Sequence, residues 1–558
     1  MNSYLSLKKS NCENCYKCIR NCPVKSISFS NKQAYIVEDE CILCGNCFVA
    51  CPQNAKEIRN DIDKVKEMIK SNKKVYASIA PSFIASYDRV NIKTMEKALK
   101  KLGFEKAEET SIGATIVKKA YEAMIEEKSQ SVIISSCCHT VNTIIQKYYP
   151  EALKYVAPIM SPMQAHAQKV KKEYQDSLVV FIGPCISKKE EADLYPGMVD
   201  CVLTYEELSK WMDEENITFE YEEDDMDKFR ARLFPTTGGI IRTMDLVEED
   251  YSYISIDGVD NCIRAIEDII SGEISNCFIE MSACVGSCVC GPAVDKNHKA
   301  PITDVVMVNK YSSLRDYEVD MPSFDNLKKD MPYVSIKKEM PGSKVIEDIL
   351  KKMGKTTPHD ELNCGSCGYN TCREKAVAVY MGKAEISMCL PYLKEKAESF
   401  SDNIINNTPN GIIVLNEKLE VQQMNNACRR MFNVDKEMDE HSIKIEEIVS
   451  PDFYIEILSS DEMIKSRRVY VEKFNKYIDE TLIYDKSYHI IISIMRDITE
   501  EEEQKASKEK IRNKTVAITD QIIEKQMRIV QEIASLLGET AAETKVAITN
   551  LKRTLNDE

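Results

Sequence analysis

The stretch MSACVGSCVCG, residues 281–291, sets two cysteines four apart, Cys284 and Cys288, with Cys290 close behind. It continues a short apolar run, CFIEM from residue 277, that reads as a buried strand. Two other runs of this kind end the same way: SVIISS leads into Cys137 and Cys138, and LVVFIGP leads into Cys185. VYASIA (75–80) is a further strand, and MEKALKKLG, ATIVKKAYEAMIEE and NCIRAIEDIISG have helical period. This alternation predicts an α/β region with a mostly parallel sheet. Open α/β sheets gather ligands at the carboxyl ends of their strands, so four of these thiols are expected to converge. Cys201, Cys262 and Cys277 lack that placement and read as small buried hydrophobes.

The chain has 558 residues, too many for one domain, and 43% hydrophobic content gives each domain material for a core. Lys and Arg number 74 against 90 Asp and Glu, and the net charge of −16 argues against nucleic-acid or anionic-membrane partners. The opening MNSYLSLKKSN lacks an apolar export core and no apolar run approaches membrane length, so the expected location is the cytoplasm. In a reducing compartment, 22 cysteines are better explained as metal ligands than as disulfides.

Residues 12–23, CENCYKCIRNCP, and 41–52, CILCGNCFVACP, both read C-x2-C-x2-C-x3-C-P, the run with which bacterial two-cluster ferredoxins hold 4Fe–4S cubanes. In that pattern the fourth cysteine of each run reaches the other cube. One set is therefore Cys12, Cys15, Cys18 and Cys51, and the other Cys41, Cys44, Cys47 and Cys22. Paired zinc sites rarely repeat this spacing with both prolines.

The middle of the chain is similar to the catalytic domain of iron–iron hydrogenases. SSCCHT (135–140) resembles that family's TSCCP, GPCISKKEE (183–191) its MPCxxKxxE, and EMSACVGSC (280–288) its E-x-MACxxGC, with SPMQ at 161–164 as a further landmark. The resemblance implies an H-cluster: a 4Fe–4S cube held by Cys138, Cys185, Cys284 and Cys288, with Cys288 bridging to a two-iron unit that carries CO, cyanide and a dithiolate. It also implies that Lys188 donates to a cyanide, held by Glu191, and that protons pass through Cys137, Ser161 and Glu122. Lys119 stands where the family has a second relay glutamate, and lysine is a poor proton carrier near neutral pH. Gly183 and Ser282 replace two methionines and His139 replaces a proline. Intact cluster ligands with altered surroundings suggest slow chemistry that reports hydrogen.

After a linker near 318–345, Cys364, Cys367, Cys372 and Cys389 give C-x2-C-x4-C-x16-C, resembling a small 4Fe–4S domain. IINNTPNGIIVLNEKLEVQQMNNACRRMFNV (404–434) resembles the opening of a PAS domain, a helix, two strands joined at a turn and a short helix, and YHIIISIMRDITEEE (488–502) its closing strand and exit. His441 and His489 read as surface or strand positions, not haem ligands. Beyond 503, Ile518, Ile522, Ile529, Ile533 and Leu536 recur on one helical face. Gly538 reads as a helix end and Thr540 with Glu543 as a capping box, so the carboxyl terminus is expected to be a helical hairpin.

The expected fold class is thus multidomain α+β and α/β: a two-cluster ferredoxin domain (1–58), an iron-only hydrogenase large-subunit α/β domain (73–310), a 4Fe–4S domain (345–395), a PAS domain (400–500) and signalling or dimerisation helices (503–558). The expected function is a low-turnover, ferredoxin-type iron–iron hydrogenase that interconverts H2 with protons and electrons and serves as a hydrogen sensor. Its cofactors would be three accessory 4Fe–4S clusters and the H-cluster. Its partners would be a ferredoxin-like carrier, a downstream signalling protein, the hydrogenase maturation enzymes and a second copy of the chain. A turnover hydrogenase with an incidental PAS domain, and a non-enzymatic iron–sulfur assembly protein of the same fold, are the competing readings.

Overall fold

The computed structural model describes residues 3–556 except 9–10, 89, 224–227, 246–250, 295–300, 337–338, 436–437, 439–442 and 461; His441 lies outside the described residues. The chain forms two compact units, Met1–Leu393 and Lys394–Glu558.

In the first unit, β1 (Leu5–Leu7) will pair with β4 (Lys56–Ile58), enclosing the hairpin of β2 (Ile27–Ser30) and β3 (Gln33–Ile36). The two cysteine runs between these strands adopt matching backbones. Asn14 and Leu43 take positive φ at one position of the repeat, and Tyr16 and Gly45 at another. Left-handed residues turn successive amide N–H groups into a concave, anion-binding surface. Leu43 and Tyr16 bear the steric cost of that conformation, about 1–2 kcal/mol each. At Gly45 a side chain is excluded outright: a Cβ would lie 2.4 Å from Pro292.

The α/β region contains β5 (Val75–Ile79), β6 (Lys106–Glu109), β7 (Val132–Ile134), β8 (Leu178–Gly183), β9 (Cys201–Thr204), β10 (Ser252–Asp257) and β11 (Cys277–Ser282). Every pairing is parallel, as expected, but the strands form two sheets instead of one: β6-β5-β8-β9 and β10-β11-β7. The division follows from the helices. Met163, Ala167 and Val170 of helix Pro162–Glu173 join the core of the first sheet. Ile116, Val117, Tyr121 and Met124 of helix Ser111–Glu126 join a core with Ile133 and Phe278 of the second. The two helices meet at Gly113, where a Cβ would lie 2.2 Å from the Pro162 carbonyl oxygen. Cys201, Cys262 and Cys277 are buried in these cores.

Residues 343–389 add helices Ser343–Lys352 and Cys372–Tyr380. Cys367, Tyr369, Ala378, Ala384 and Met388 share one core with Leu5, Ile19, Cys22, Phe29 and Phe48 of the amino-terminal region.

The second unit has a five-stranded antiparallel sheet of β12 (Gly411–Asn416), β13 (Val421–Met424), β14 (Ile464–Val471), β15 (Lys476–Asp485) and β16 (Ile490–Asp497), in the order β13-β12-β16-β15-β14. Helix Leu390–Asn407, the turn between β12 and β13, helix Asn426–Met431 and the closing β16 lie where the sequence places them. The carboxyl terminus corrects the sequence reading: Thr499–Asn556 is one helix of 58 residues, with no hairpin at Gly538. The Thr540 hydroxyl donates to the Leu536 carbonyl at 2.7 Å, a bond made inside a helix and not at a cap. A lone glycine costs a helix interior only about 1 kcal/mol relative to alanine, too little to force a break.

Candidate metal centre

The carboxyl ends of strands from both sheets face one cavity of about 840 Å³, counting its open mouth. Ala80 and Ser82 follow β5, Pro184 and Cys185 follow β8, Cys137 and Cys138 follow β7, and Glu280, Met281, Ser282 and Cys288 come from β11 and the turn beyond it. Burial pushes the Cys284 thiol well up, and the neighbouring thiols of Cys185, Cys288, Cys138 and Cys44 add to the shift. Cys138 and Cys288 are raised for the same reason, with Cys185 next to each. Thiols this close disfavour one another's thiolate form when no metal is present, and cationic iron would favour it. Three of the expected four cysteines, Cys138, Cys185 and Cys288, line one cavity although they follow strands far apart in sequence, and Cys284 lies near them.

The lysine of the second motif is held as the sequence implies. The Lys188 ammonium donates to the Cys137 carbonyl oxygen at 3.1 Å and pairs with Glu191, which also receives Lys329. Burial opposes the charge on Lys188, but Glu191 outweighs it and raises the ammonium above its ordinary value. Burial likewise opposes the charge on Glu191, and Lys188 and Lys329 overcome it, holding the carboxyl well down.

The three expected proton carriers are less closely joined. The Cys137 thiol, pushed up to about 12 by burial, meets the Tyr121 hydroxyl at 3.3 Å. The Ser161 hydroxyl is buried without a hydrogen-bond partner among the described residues. Glu122 accepts from the Asp245 amide at 2.7 Å and lies 3.7 Å from Lys118, a fully buried lysine that donates to Asp316 at 2.5 Å and to the Thr243 carbonyl at 2.8 Å. Lys119 is half-buried.

Two side chains, one bonded to Cys137 and one lining the cavity, make notable contacts that the sequence reading did not assign. Tyr121 is one. The other is Glu280, raised to about 7 by burial although the amides of Ile241, Ile240, Gly238 and Gly239 favour its charged form. Glu280 stands within a quoted motif, but its burial against the amides of residues 238–241 is a long-range event that no local pattern records. The positions altered from the family pattern also touch the cavity. His139 and Ser282 line it, and Phe181 lies against Gly183, where a Cβ would come within 2.8 Å of the ring. Phe181 thus takes space that a larger residue at 183 would need.

The accessory sets form three further cradles. Cys12, Cys15, Cys18 and Cys51 line one cavity; Cys22, Cys41, Cys44 and Cys47 a second; and Cys364, Cys367, Cys372 and Cys389 a third. Each set of four lines its own cavity. The spacing and the all-thiol donor sets fit 4Fe–4S clusters, including the fourth-cysteine exchange between the first two.

Residues 73–292 match the family described as iron only hydrogenase large subunit, C-terminal domain; residues 11–55 match a 4Fe-4S dicluster domain, and 360–391 an Fe-S cluster family. Iron hydrogenase 1 of Clostridium pasteurianum is 27% identical over 51% of this chain and 64% of its own length, so the match spans less than two thirds of that relative. The periplasmic Fe hydrogenase large subunit of Nitratidesulfovibrio vulgaris is 26% identical over 52% of this chain and 85% of its own length. A variant of the FeFe-hydrogenase HydA1 from Chlamydomonas reinhardtii aligns over 50% of this chain and all of its own at 16% identity and a TM-score of 0.40. The cysteine cavity lies within the segment that matches the iron-only hydrogenase large-subunit family, between the segments that match a 4Fe–4S dicluster domain and an Fe-S cluster family.

Proposed function

We propose that the chain is an iron–iron hydrogenase that interconverts H2 with two protons and two electrons, turns over slowly and reports hydrogen through its carboxyl-terminal unit. The observation that carries this reading is the meeting of Cys138, Cys185 and Cys288 with Cys137 and Lys188 around one cavity, with Cys284 close to those thiols. When bound there, the H-cluster supplies H–H bond chemistry that no amino acid can. The protein's part is to hold and surround it. Four cysteines fix the cube, Lys188 presents its ammonium for a cyanide under the grip of Glu191, and the Cys137 thiol holds a proton beside the cavity. Cys137, Ser161 and Glu122 would form the proton route, and the cavity's apolar lining of Ala80, Met163, Phe181 and Phe234 limits water. Lys119, where the resemblance expects a second relay glutamate, supports slow turnover.

The second unit, with its PAS-like succession of helix, strands and closing strand, would relay the state of the clusters to a signalling protein. Its long exit helix leaves Ile518, Ile522, Ile529, Ile533 and Leu536 exposed, a face suited to a second copy of the chain. A ferredoxin-like carrier would exchange electrons, and maturation enzymes would supply the two-iron unit. No helix among the described residues is long and apolar enough to cross a membrane, and a cytoplasmic location remains part of the proposal.

The test is an infrared spectrum of anaerobically matured protein under hydrogen and under argon. Metal-bound CO and cyanide bands that shift with hydrogen are expected, together with two irons per chain beyond those of the cubanes. Absence of those bands after maturation would overturn the hydrogenase reading and leave an iron–sulfur scaffold.

A further inference from the structure

The segment carrying Cys364, Cys367, Cys372 and Cys389 does not extend away from the other cysteine sets; it is docked on the amino-terminal domain. Residues on both sides of Cys22 touch residues on both sides of Cys367. Arg20 donates to the Ser366 carbonyl at 3.2 Å, and the Lys25 ammonium bridges the carbonyls of Ile19, Arg20 and Gly368 at 3.2, 3.3 and 3.1 Å. Gly368 has φ +93°, and a Cβ there would lie 2.9 Å from Ile19. Two further ties lie nearby: the Phe29 amide donates to the Lys383 carbonyl at 2.7 Å, and the Lys383 ammonium pairs with buried Glu40. Tyr369 is buried in the shared core and feels both Cys367 and Cys22.

The set that contains Cys22 also packs against the segments that carry the cavity cysteines, with Cys44 near Cys284. Gly45 packs on Pro292 and Ile186, beside the turns that carry Cys288 and Cys185. Lys147 donates to the Cys41 carbonyl at 2.8 Å and Tyr148 to the Glu40 carbonyl at 2.6 Å. Through the fourth-cysteine exchange it neighbours the Cys12 set as well. One set thus has three neighbours.

Resting on the hydrogenase reading, we propose that the cluster of Cys22, Cys41, Cys44 and Cys47 is a branch point. Electrons from the catalytic cavity leave it either for the Cys12, Cys15, Cys18 and Cys51 cluster or for the Cys364, Cys367, Cys372 and Cys389 cluster. Splitting H2 releases two protons and two electrons; each electron that reaches an exit cluster reduces it by one level, from 2+ to 1+, and reoxidises the junction. The carboxyl-terminal exit is the one whose last ligand, Cys389, directly precedes helix Leu390–Asn407 and the sheet-containing unit. The competing order is linear, with the Cys12 set standing between the other two. Tyr16, which lines the Cys12 cavity and feels Cys367, is the contact that would serve it.

The experiment uses the full chain with its clusters, comparing the parent with Cys15→Ser and Cys364→Ser, each lacking one exit cluster. Low-temperature electron paramagnetic resonance of dithionite-reduced samples reads spin coupling between clusters without any need for hydrogen chemistry. The branch predicts that the carboxyl-terminal cluster stays coupled to the junction cluster in Cys15→Ser, and that the Cys12-type cluster stays coupled to it in Cys364→Ser. Loss of the first coupling would overturn the branch in favour of the linear order. Freeze-quench after hydrogen addition gives the second readout: in Cys15→Ser the carboxyl-terminal cluster should still be reduced, and its failure there alone would also overturn the branch. If hydrogen reduces no cluster even in the parent while dithionite reduces all, the hydrogenase reading fails and the coupling data still decide the branch. Should Cys15→Ser not fold, Cys12→Ser removes the same cluster.

Discussion

The hydroxyl of Tyr121 lies 3.3 Å from the thiol of Cys137, 2.9 Å from the Ser136 hydroxyl, and receives the Ser136 amide at 2.9 Å. One phenol therefore fixes the backbone and the side chain of the turn that delivers two cysteines to the cavity. Tyr121→Phe leaves the buried Ser136 amide without its acceptor, a cost of about 1–3 kcal/mol. Denaturant unfolding of the apo protein should show that loss; an unchanged midpoint would mean the turn is held by other contacts.

Lys118 is fully buried and its partners are Asp316, Glu122, Asp245 and the Thr243 carbonyl. Removing one member of a buried ion pair strands the other. Lys118→Met is expected to destabilise by about 3–5 kcal/mol, and Lys118→Met combined with Asp316→Leu to recover most of it. Urea midpoints of the single and double variants check this, and equal losses in both would refute it.

Glu280 supplies the pH dependence. Its folded pKa, raised to about 7 by burial, exceeds the unfolded carboxylate value, so the native state binds the extra proton between the two. Its contribution is fully present below the unfolded pKa and is lost as pH rises through 7. The slope approaches one proton's worth, about 1.4 kcal/mol per pH unit, within that window. Comparing apo wild type with Glu280→Gln across pH 5 to 8, the variant should lack this decline.

In the second unit, Glu480 is fully buried on β15 and is bound by Tyr454 at 2.5 Å, Arg467 at 2.7 Å and Ser493 at 3.1 Å. Glu480→Ala leaves the Arg467 charge uncompensated against Phe453, whose ring lies 4.3 Å away, and is expected to cost about 3–5 kcal/mol. Hydrogen exchange in the full chain should show lost protection across 411–497 with the first unit unaffected.

Much of this was legible locally. One repeated cysteine spacing marked out the first two accessory sets, and a different spacing that resembles a small 4Fe–4S domain marked out the third. Apolar runs located β5, β7, β8 and β11 and showed that three of these lead into cysteines, whereas β6, β9 and β10 gave no such signal. The long final helix was misread because Gly538 and Thr540 carry the local marks of an end, while the penalty for continuing through them is small.

The sequence alone determined the spacing of the cysteine sets, four of the seven α/β strands and which segments resemble a hydrogenase. Only the tertiary structure decided that the strands divide into two sheets around one cavity, that Tyr121 holds the Cys137 turn while Glu280 lines the cavity, and that Cys367 is seated beside Cys22. The physical reason is range. Ligand spacing and strand period are properties of neighbours in the chain, whereas the close approach of helices at Gly113 and of Gly368 to Ile19 depends on which surfaces are free to pack once every element has formed.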